Sequence, residues 1–282
     1  MDNATNKSEL ARSLGIARSS LYYRSLRDKK DEAARNEIQA VLDQHPHYGH
    51  KRIALELGWN KKRSLRIMHK FDLHPKRRKK KPHKPDDEGN TPSLVGNIAK
   101  TICPIRPNAL WVGDFTYLPW RDDFIYLATA LDVYTREIVG WHIGLNHTTS
   151  LVIEAFLDGA ARTSGTPAIF HSDQGSEYIS GGYEKLLETL NITPSYSKKS
   201  SPWENGYQES FYGNFKFELG STTGFKDLGE LCEAIHKQIN YYNTNRIHTS
   251  IKTQPATFRK QYEAKRGACP ANTKTTAVVA AR

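Results

Sequence analysis

The stretch LWVGDFTYLPW, residues 110–120, decides how the rest of the chain is read. Its side chains alternate with the period of a half-buried strand, placing Val112, Asp114 and Thr116 on one face and Trp111, Phe115 and Tyr117 on the other. Asp114 is the anomaly. A carboxylate inside so apolar a strand is costly to bury unless it is paired or bound to a metal.

Downstream, FIYLATALDV (124–133) and residues 137–143 read as two further strands joined by a turn at Tyr134-Thr135-Arg136. Residues 151–162 form an amphipathic helix, and Ala168–His171 a short buried strand that ends at Ser172-Asp173. A helix around Tyr183–Leu190, a short strand near Ile192–Tyr196, and helices over 204–219 and 227–242 complete the pattern. Three strands, a helix, a strand and more helices predict an α/β core, a mixed five-stranded sheet flanked by helices.

Two more acids stand where a purely structural acid is awkward. Asp173 ends a buried strand just before the turn Gln174-Gly175-Ser176. Glu209 lies on the helix ENGYQESFYGNFKFEL, where Asn205, Glu209 and Lys216 fall within about 60° of one face. Tyr207, Phe211, Phe215 and Leu219 are expected to form a separate core stripe. Three carboxylates converging from two strands and a helix make a hard, oxygen-rich site suited to Mg²⁺, with Mn²⁺ as substitute. Two ions there can activate a water or a 3′-hydroxyl and stabilise the leaving oxygen of a phosphodiester. Lys216 is the candidate for holding a DNA phosphate or terminal base, and the Asn205 amide, offered outward on the same face, is a further candidate DNA contact. His171 is expected to be a packed core histidine; His45, His47 and His50 have no cysteine pair beside them and are expected at the surface or on backbone.

The first third of the chain is different in kind. Residues 1–100 hold 23 Lys+Arg against 12 Asp+Glu, which leaves 18 of each for 101–282, so the whole net charge of +11 lies there. A basic domain joined to a neutral one points to a polyanion as partner. Residues 8–24 (SELARSLGIARSSLYYR) read as two short helices around Gly15, with Leu10, Leu14 and Leu21 inward and Arg18 opening the second helix, the layout of a helix-turn-helix. Helices over 32–44, 51–57 and 61–71 follow. The last has Leu65, Met68 and Phe71 inward and Lys61, Lys62, Arg63, Arg66 and Lys70 outward. The run Lys76, Arg77, Arg78, Lys79, Lys80, Lys81 and the Pro-rich residues after it predict an extended linker that tracks a phosphate backbone.

The expected domains are a helix-turn-helix-like segment (1–30), a basic helical DNA-binding module (31–74), a linker (75–105), the catalytic core (106–262) and a disordered tail (263–282). No apolar run approaches the roughly 20 residues that span a membrane. The start MDNATNKSEL has no secretory pattern. The three cysteines, Cys103, Cys232 and Cys269, form no CxxC pair. A cytoplasmic protein with reduced thiols and no zinc finger is expected.

The residues between Asp173 and Glu209, 174–208, number 35. With LWVGDFTYL, HSDQGSEY, SPWENGYQESFYGNFKFEL and YYNTNRIHTSIKTQPATF, that spacing makes the chain resemble an OrfB-type insertion-sequence transposase of the insertion sequence three family, within the DDE transposase and retroviral-integrase superfamily. YGHKRIALELGWNKKRSLRIM resembles the helical module that precedes the core in that family. The resemblance spans roughly residues 8–258. It implies a ribonuclease H-like fold and a catalytic, metal-binding triad at Asp114, Asp173 and Glu209, with Lys216 as the basic residue seven positions after the glutamate. It further implies 3′-end cleavage and strand transfer of an insertion sequence, with DNA (element ends and target) as partner and a homo-oligomer on DNA. The upstream frame that usually supplies a helix-turn-helix and a leucine zipper is a possible partner in such families. Two alternatives remain: a ribonuclease H-like nuclease without strand transfer, which leaves the YNTNRIH stretch unexplained, and a catalytically retired DNA-binding regulator.

Overall fold

The computed structural model describes residues 7–22, 27–76, 78, 97–197, 205–267 and 279–281. The chain divides into two compact units, one up to Lys76 and one from Arg77 onward.

The first unit is all-helical: α1 (Lys7–Ser13), a 3-10 turn (Arg18–Tyr22), α2 (Arg27–Gln44), α3 (His50–Glu56) and α4 (Lys61–Lys70). Ile38, Val41, Tyr48, Ile53, Ala54, Ile67 and Met68 form its core. Gly15 sits at φ 63, the left-handed turn that a side chain would disfavour, and separates α1 from the 3-10 turn. The expected second helix of residues 8–24 is thus only a five-residue 3-10 turn. The expected apolar face is also corrected: Leu10 and Leu14 are exposed and Ala11 is buried, because a seven-residue helix beside one short turn has too little surface to cover a leucine stripe. On α4 the buried positions are Ser64, Ile67 and Met68, with Leu65 half-buried. His45 departs from the surface role expected of it. It is buried and stacked on Tyr48, with ring centroids 4.3 Å apart.

The second unit contains β1 (Ile102–Pro104), β2 (Leu110–Trp120), β3 (Asp123–Asp132), β4 (Ile138–Gly144), α5 (Thr149–Thr163), β5 (Ile169–Ser172), α6 (Gly181–Thr189), β6 (Thr193–Tyr196), α7 (Gly206–Leu219), α8 (Leu228–Thr244), α9 (Pro255–Gly267) and β7 (Val279–Ala281). The main sheet has the order β4-β3-β2-β5-β6. β2, β3 and β4 pair antiparallel, while β5 runs parallel to both β2 and β6. This is the mixed five-stranded, helix-flanked sheet of the ribonuclease H-like fold. A separate two-stranded ribbon joins β1 to β7 antiparallel.

The alternation of β2 sorts the core into two layers. Leu110, Val112 and Leu118 pack with Phe211, Phe215, Leu231, Ile235 and Ile239 of α7 and α8. Trp111 packs with Ala155 and Phe156 of α5 and Tyr183 and Leu187 of α6, and Phe115 adjoins that layer. α5 lies so close to β4 that a Cβ on Gly140 would overlap the main chain of Ala155 and Gly159, so glycine is what permits the contact.

The C-terminal region departs from expectation. α9 extends past the expected core boundary to Gly267, and Arg259 on it pairs with Glu137 and, at 3.3 Å, with the fully buried Asp132. Residues 279–281 pair with β1, whereas 268–278 of the expected tail lie outside the described residues. No helix among the described residues is long and apolar enough to cross a membrane.

Candidate active site

The parallel pairing of β2 with β5 sets Val112 opposite His171. Two residues further along each chain stand Asp114 and Asp173, so the register carries the two acids side by side, Asp114 within β2 and Asp173 just past the end of β5. Burial, and then the charge of Asp173, push the Asp114 carboxyl up to about 7; the hydrogen bond from Phe115 N (2.9 Å) and the Lys216 charge act in the opposite sense. Asp173 is raised as well, by burial first. The main-chain N–H of Gly175, donating at 3.0 Å, partly offsets this, and the Glu177 charge adds to it.

α7 is fastened beside Asp114 by polar side chains. Gln208 is buried; its Nε2 donates to Val112 O (2.7 Å) and Thr129 O (3.1 Å), while its Oε1 accepts from Thr129 Oγ1 at 3.0 Å. Asn205 Nδ2 donates to Gly113 O at 3.1 Å, and the Tyr212 hydroxyl donates to Asp114 O at 2.7 Å. Main-chain carbonyls of β2 and β3 thus accept from these buried side-chain donors, which would otherwise go unsatisfied. The buried positions of α7 are therefore Gln208, Phe211, Tyr212 and Phe215. Tyr207, expected in the core stripe, is exposed under the Arg136 guanidinium, 4.3 Å from its ring. Asn205 is corrected too: its amide is committed to the main chain of β2 rather than offered outward.

Glu209 lies in the first turn of α7, between Asn205 and Tyr212, and is exposed. Lys216 lies in its last turn, with Nζ 4.7 Å from the Tyr117 ring centroid and its charge felt by Asp114. Among the described residues, no three His, Cys, Asp or Glu side chains stand together as a metal-binding group. The structure thus pairs Asp114 with Asp173 and puts Glu209 on the adjoining helix without closing it onto them. The pair fits a divalent cation on its own chemistry, since two neighbouring carboxylates, both raised by burial and one further by the charge of the other, are relieved by positive charge between them.

Two residues were missed in the sequence. Glu177 is buried and bonded to His147 Nδ1 at 2.6 Å. The His147 ring is nearly parallel to that of Phe115, with centroids 6.0 Å apart. Glu177 could have been noticed as a second acid in HSDQGSEY; His147 carries no signal in its own neighbourhood. His171 is the buried core residue expected, with Nδ1 2.9 Å from Ser195 Oγ.

The YNTNRIH stretch has a packing explanation. Asn243 bonds both the N–H and the carbonyl of Ile138, and buried Arg246 pairs with buried Glu218 at 2.9 Å. It therefore does not discriminate strand transfer from simple cleavage.

Of the expected DNA-contacting cations, Lys61, Lys62 and Arg63 are exposed at the start of α4, Arg63 stacking on Trp59 at 3.8 Å. Arg66 is turned to the fold instead: both its terminal nitrogens reach buried Asp31 at 2.7 and 2.8 Å, and Lys70 joins the same carboxylate. Arg18, Lys76 and Arg78 are exposed, whereas Arg77, Lys79, Lys80 and Lys81 lie outside the described residues.

Residues 104–202 and 190–255 each match a family model described as an integrase core domain. The transposase for insertion sequence element IS904 of Lactococcus lactis subsp. lactis (strain IL1403) is 34% identical over 241 residues, covering 81% of this chain and 94% of that protein. The transposase for insertion sequence element IS629 of Shigella sonnei is 30% identical over 253 residues, covering 86% and 84%. In fold, the chain is similar to a chain of the simian T-cell lymphotropic virus intasome in complex with PP2A regulatory subunit B56 gamma, with TM-score 0.51, 18% identity, and coverage of 83% and 76%.

Proposed function

The chain belongs to the insertion-sequence transposases of the DDE/integrase superfamily, and we propose that it cuts the 3′ ends of an insertion element and joins them to DNA at Asp114, Asp173 and Glu209. The observation that carries this reading is the β2–β5 register, which brings Asp114 and Asp173 together as desolvated acids of raised pKa. Asp114, Asp173 and Glu209 would hold two Mg²⁺ ions, or Mn²⁺ in their place, which supply Lewis-acid stabilisation of the attacking and leaving oxygens. Asn205, Gln208 and Tyr212 fix the helix that carries Glu209. Lys216 lies near enough to Asp114 to offer its ammonium to a phosphate of the bound DNA. The basic first hundred residues supply non-specific affinity for DNA. Synapsis of two ends calls for a homo-oligomer on DNA, and an upstream-frame protein is a further partner to supply in the assay.

The test is cleavage and joining of DNA ends taken from the sequence flanking the coding region, with Mg²⁺ or Mn²⁺, comparing the unmutated chain with Glu209→Gln. Metal-dependent cutting and joining that disappear in the variant support the triad. Joining retained by Glu209→Gln overturns the assignment of that glutamate. Cutting without joining favours the nuclease reading, and binding without any reaction, even with the upstream partner, favours a retired regulator.

A further inference from the structure

One member of the basic run Lys76–Lys81 has a defined seat. The Arg78 guanidinium occupies the place where a side chain on Gly213 would begin, its Cζ 3.0 Å from the position a Cβ would take. Gly213 lies within α7, in its middle turn. It is four residues after Glu209 and three before Lys216, so the three positions lie within about 60° of one helix face. Arg78 therefore rests on the stretch of α7 between the candidate catalytic acid and the candidate DNA-holding lysine. It is exposed, and among the described residues no carboxylate pairs with it. A planar, permanently charged fork held by contact with a bare helix backbone, its donors uncommitted, matches a phosphodiester oxygen pair better than a point charge would.

We infer that Arg78 is a phosphate-binding residue of the active site, seated on Gly213 to grip the DNA backbone between Glu209 and Lys216. The inference rests on the transposase reading above and adds to it a cation that α7 does not itself carry at that level. It also gives Gly213 a reason: glycine weakens a helix interior, and here the missing side chain is what admits the arginine.

The experiment uses the full chain and a fluorescent duplex from the flank of the coding region, with Ca²⁺ to allow binding. Affinity is measured by anisotropy across a salt series for the unmutated protein, Arg78→Ala, Arg78→Lys, Gly213→Ala and the double variant Arg78→Ala/Gly213→Ala. Arg78→Ala should weaken binding about tenfold and lower the salt slope by about one. Gly213→Ala should weaken binding to the same degree while raising the melting temperature, because alanine outranks glycine in a helix. The double variant should bind no worse than either single one, and Arg78→Lys should retain part of the affinity.

Normal binding by Gly213→Ala, or additive losses in the double variant, overturns the seat. Unchanged binding by Arg78→Ala in a chain that still cuts DNA ends overturns the inference and leaves the transposase reading standing. An unmutated chain that neither binds nor cuts the ends overturns both.

Discussion

His147 Nδ1 lies 2.6 Å from a carboxylate oxygen of Glu177, and the same imidazole is nearly parallel to Phe115, the residue next to Asp114. Burial would raise the Glu177 carboxyl, but hydrogen bonds from His147, its own main chain and Ser176 carry it below the ordinary value. The imidazole thus ties the strand that bears Asp114 to the turn that follows Asp173.

His147→Ala should slow cleavage about tenfold and shift the Mg²⁺ requirement upward, while costing only about 1 kcal/mol of stability for a half-exposed hydrogen bond. A metal titration of cleavage rate checks it, and His147→Gln should recover part of the loss. An unchanged Mg²⁺ dependence in His147→Ala would mean that the contact only braces the loop.

The raised Asp114 carboxyl makes the metal-free protein sensitive to pH. In the unfolded chain an aspartate titrates near 4, so between about 4 and about 7 the folded state binds more protons. The sign follows: the associated stability is present in full below about 4, is lost as pH rises, and is gone above about 7. Asp173, also raised, acts in the same direction. Urea unfolding in EDTA should show this decline, and Asp114→Asn should flatten it and add about 2–4 kcal/mol at pH 8 while abolishing activity. Mg²⁺ should raise the melting temperature more at pH 8 than at pH 5; an equal rise at both would count against the ion binding the deprotonated pair.

Gln208 and Glu209 are neighbours with opposite duties. Gln208→Ala removes the donor to two buried carbonyls and should destabilise the core unit by about 2–4 kcal/mol. Glu209→Gln changes an exposed side chain and should leave the stability within about 0.5 kcal/mol of the original while eliminating cleavage. Thermal melting of both variants separates the two roles. A destabilised Glu209→Gln would show that the glutamate props the helix.

On α4 the cations divide in the same manner. Arg66 and Lys70 hold the Asp31 carboxyl well below the usual range through hydrogen bonds that outweigh its desolvation. Arg66→Ala should therefore lower the melting temperature and leave the salt slope of DNA binding nearly unchanged. Replacing Lys61, Lys62 and Arg63 together by alanine should lower that slope by roughly two to three and spare the fold. An equal change of slope for Arg66→Ala would return it to the DNA-facing group.

The strand period around Asp114, the strand ending at Asp173 and the helix bearing Glu209 were all legible, because alternation and helical periodicity are local properties of the chain. The separation of basic and neutral parts was legible for the same reason, since it needs only counting. Less legible were elements without a strong apolar period of their own. α9 is polar along much of its length and is held by Arg259 reaching Asp132 and Glu137, residues more than a hundred positions earlier.

The sequence by itself determined the ribonuclease H-like core and the membership of the transposase family, and it singled out Asp114, Asp173 and Glu209 as the acids proposed for the site. Only the tertiary structure decided which polar side chains serve the fold. Gln208 and Tyr212 can face inward because main-chain carbonyls of β2 and β3 accept their donors; Arg66 differs from Lys61 because Asp31 lies within its reach; Arg246 is matched to Glu218. A periodic pattern specifies which face of a helix turns inward. The energy of burying a polar group depends on its partner, and that partner comes from a distant part of the chain.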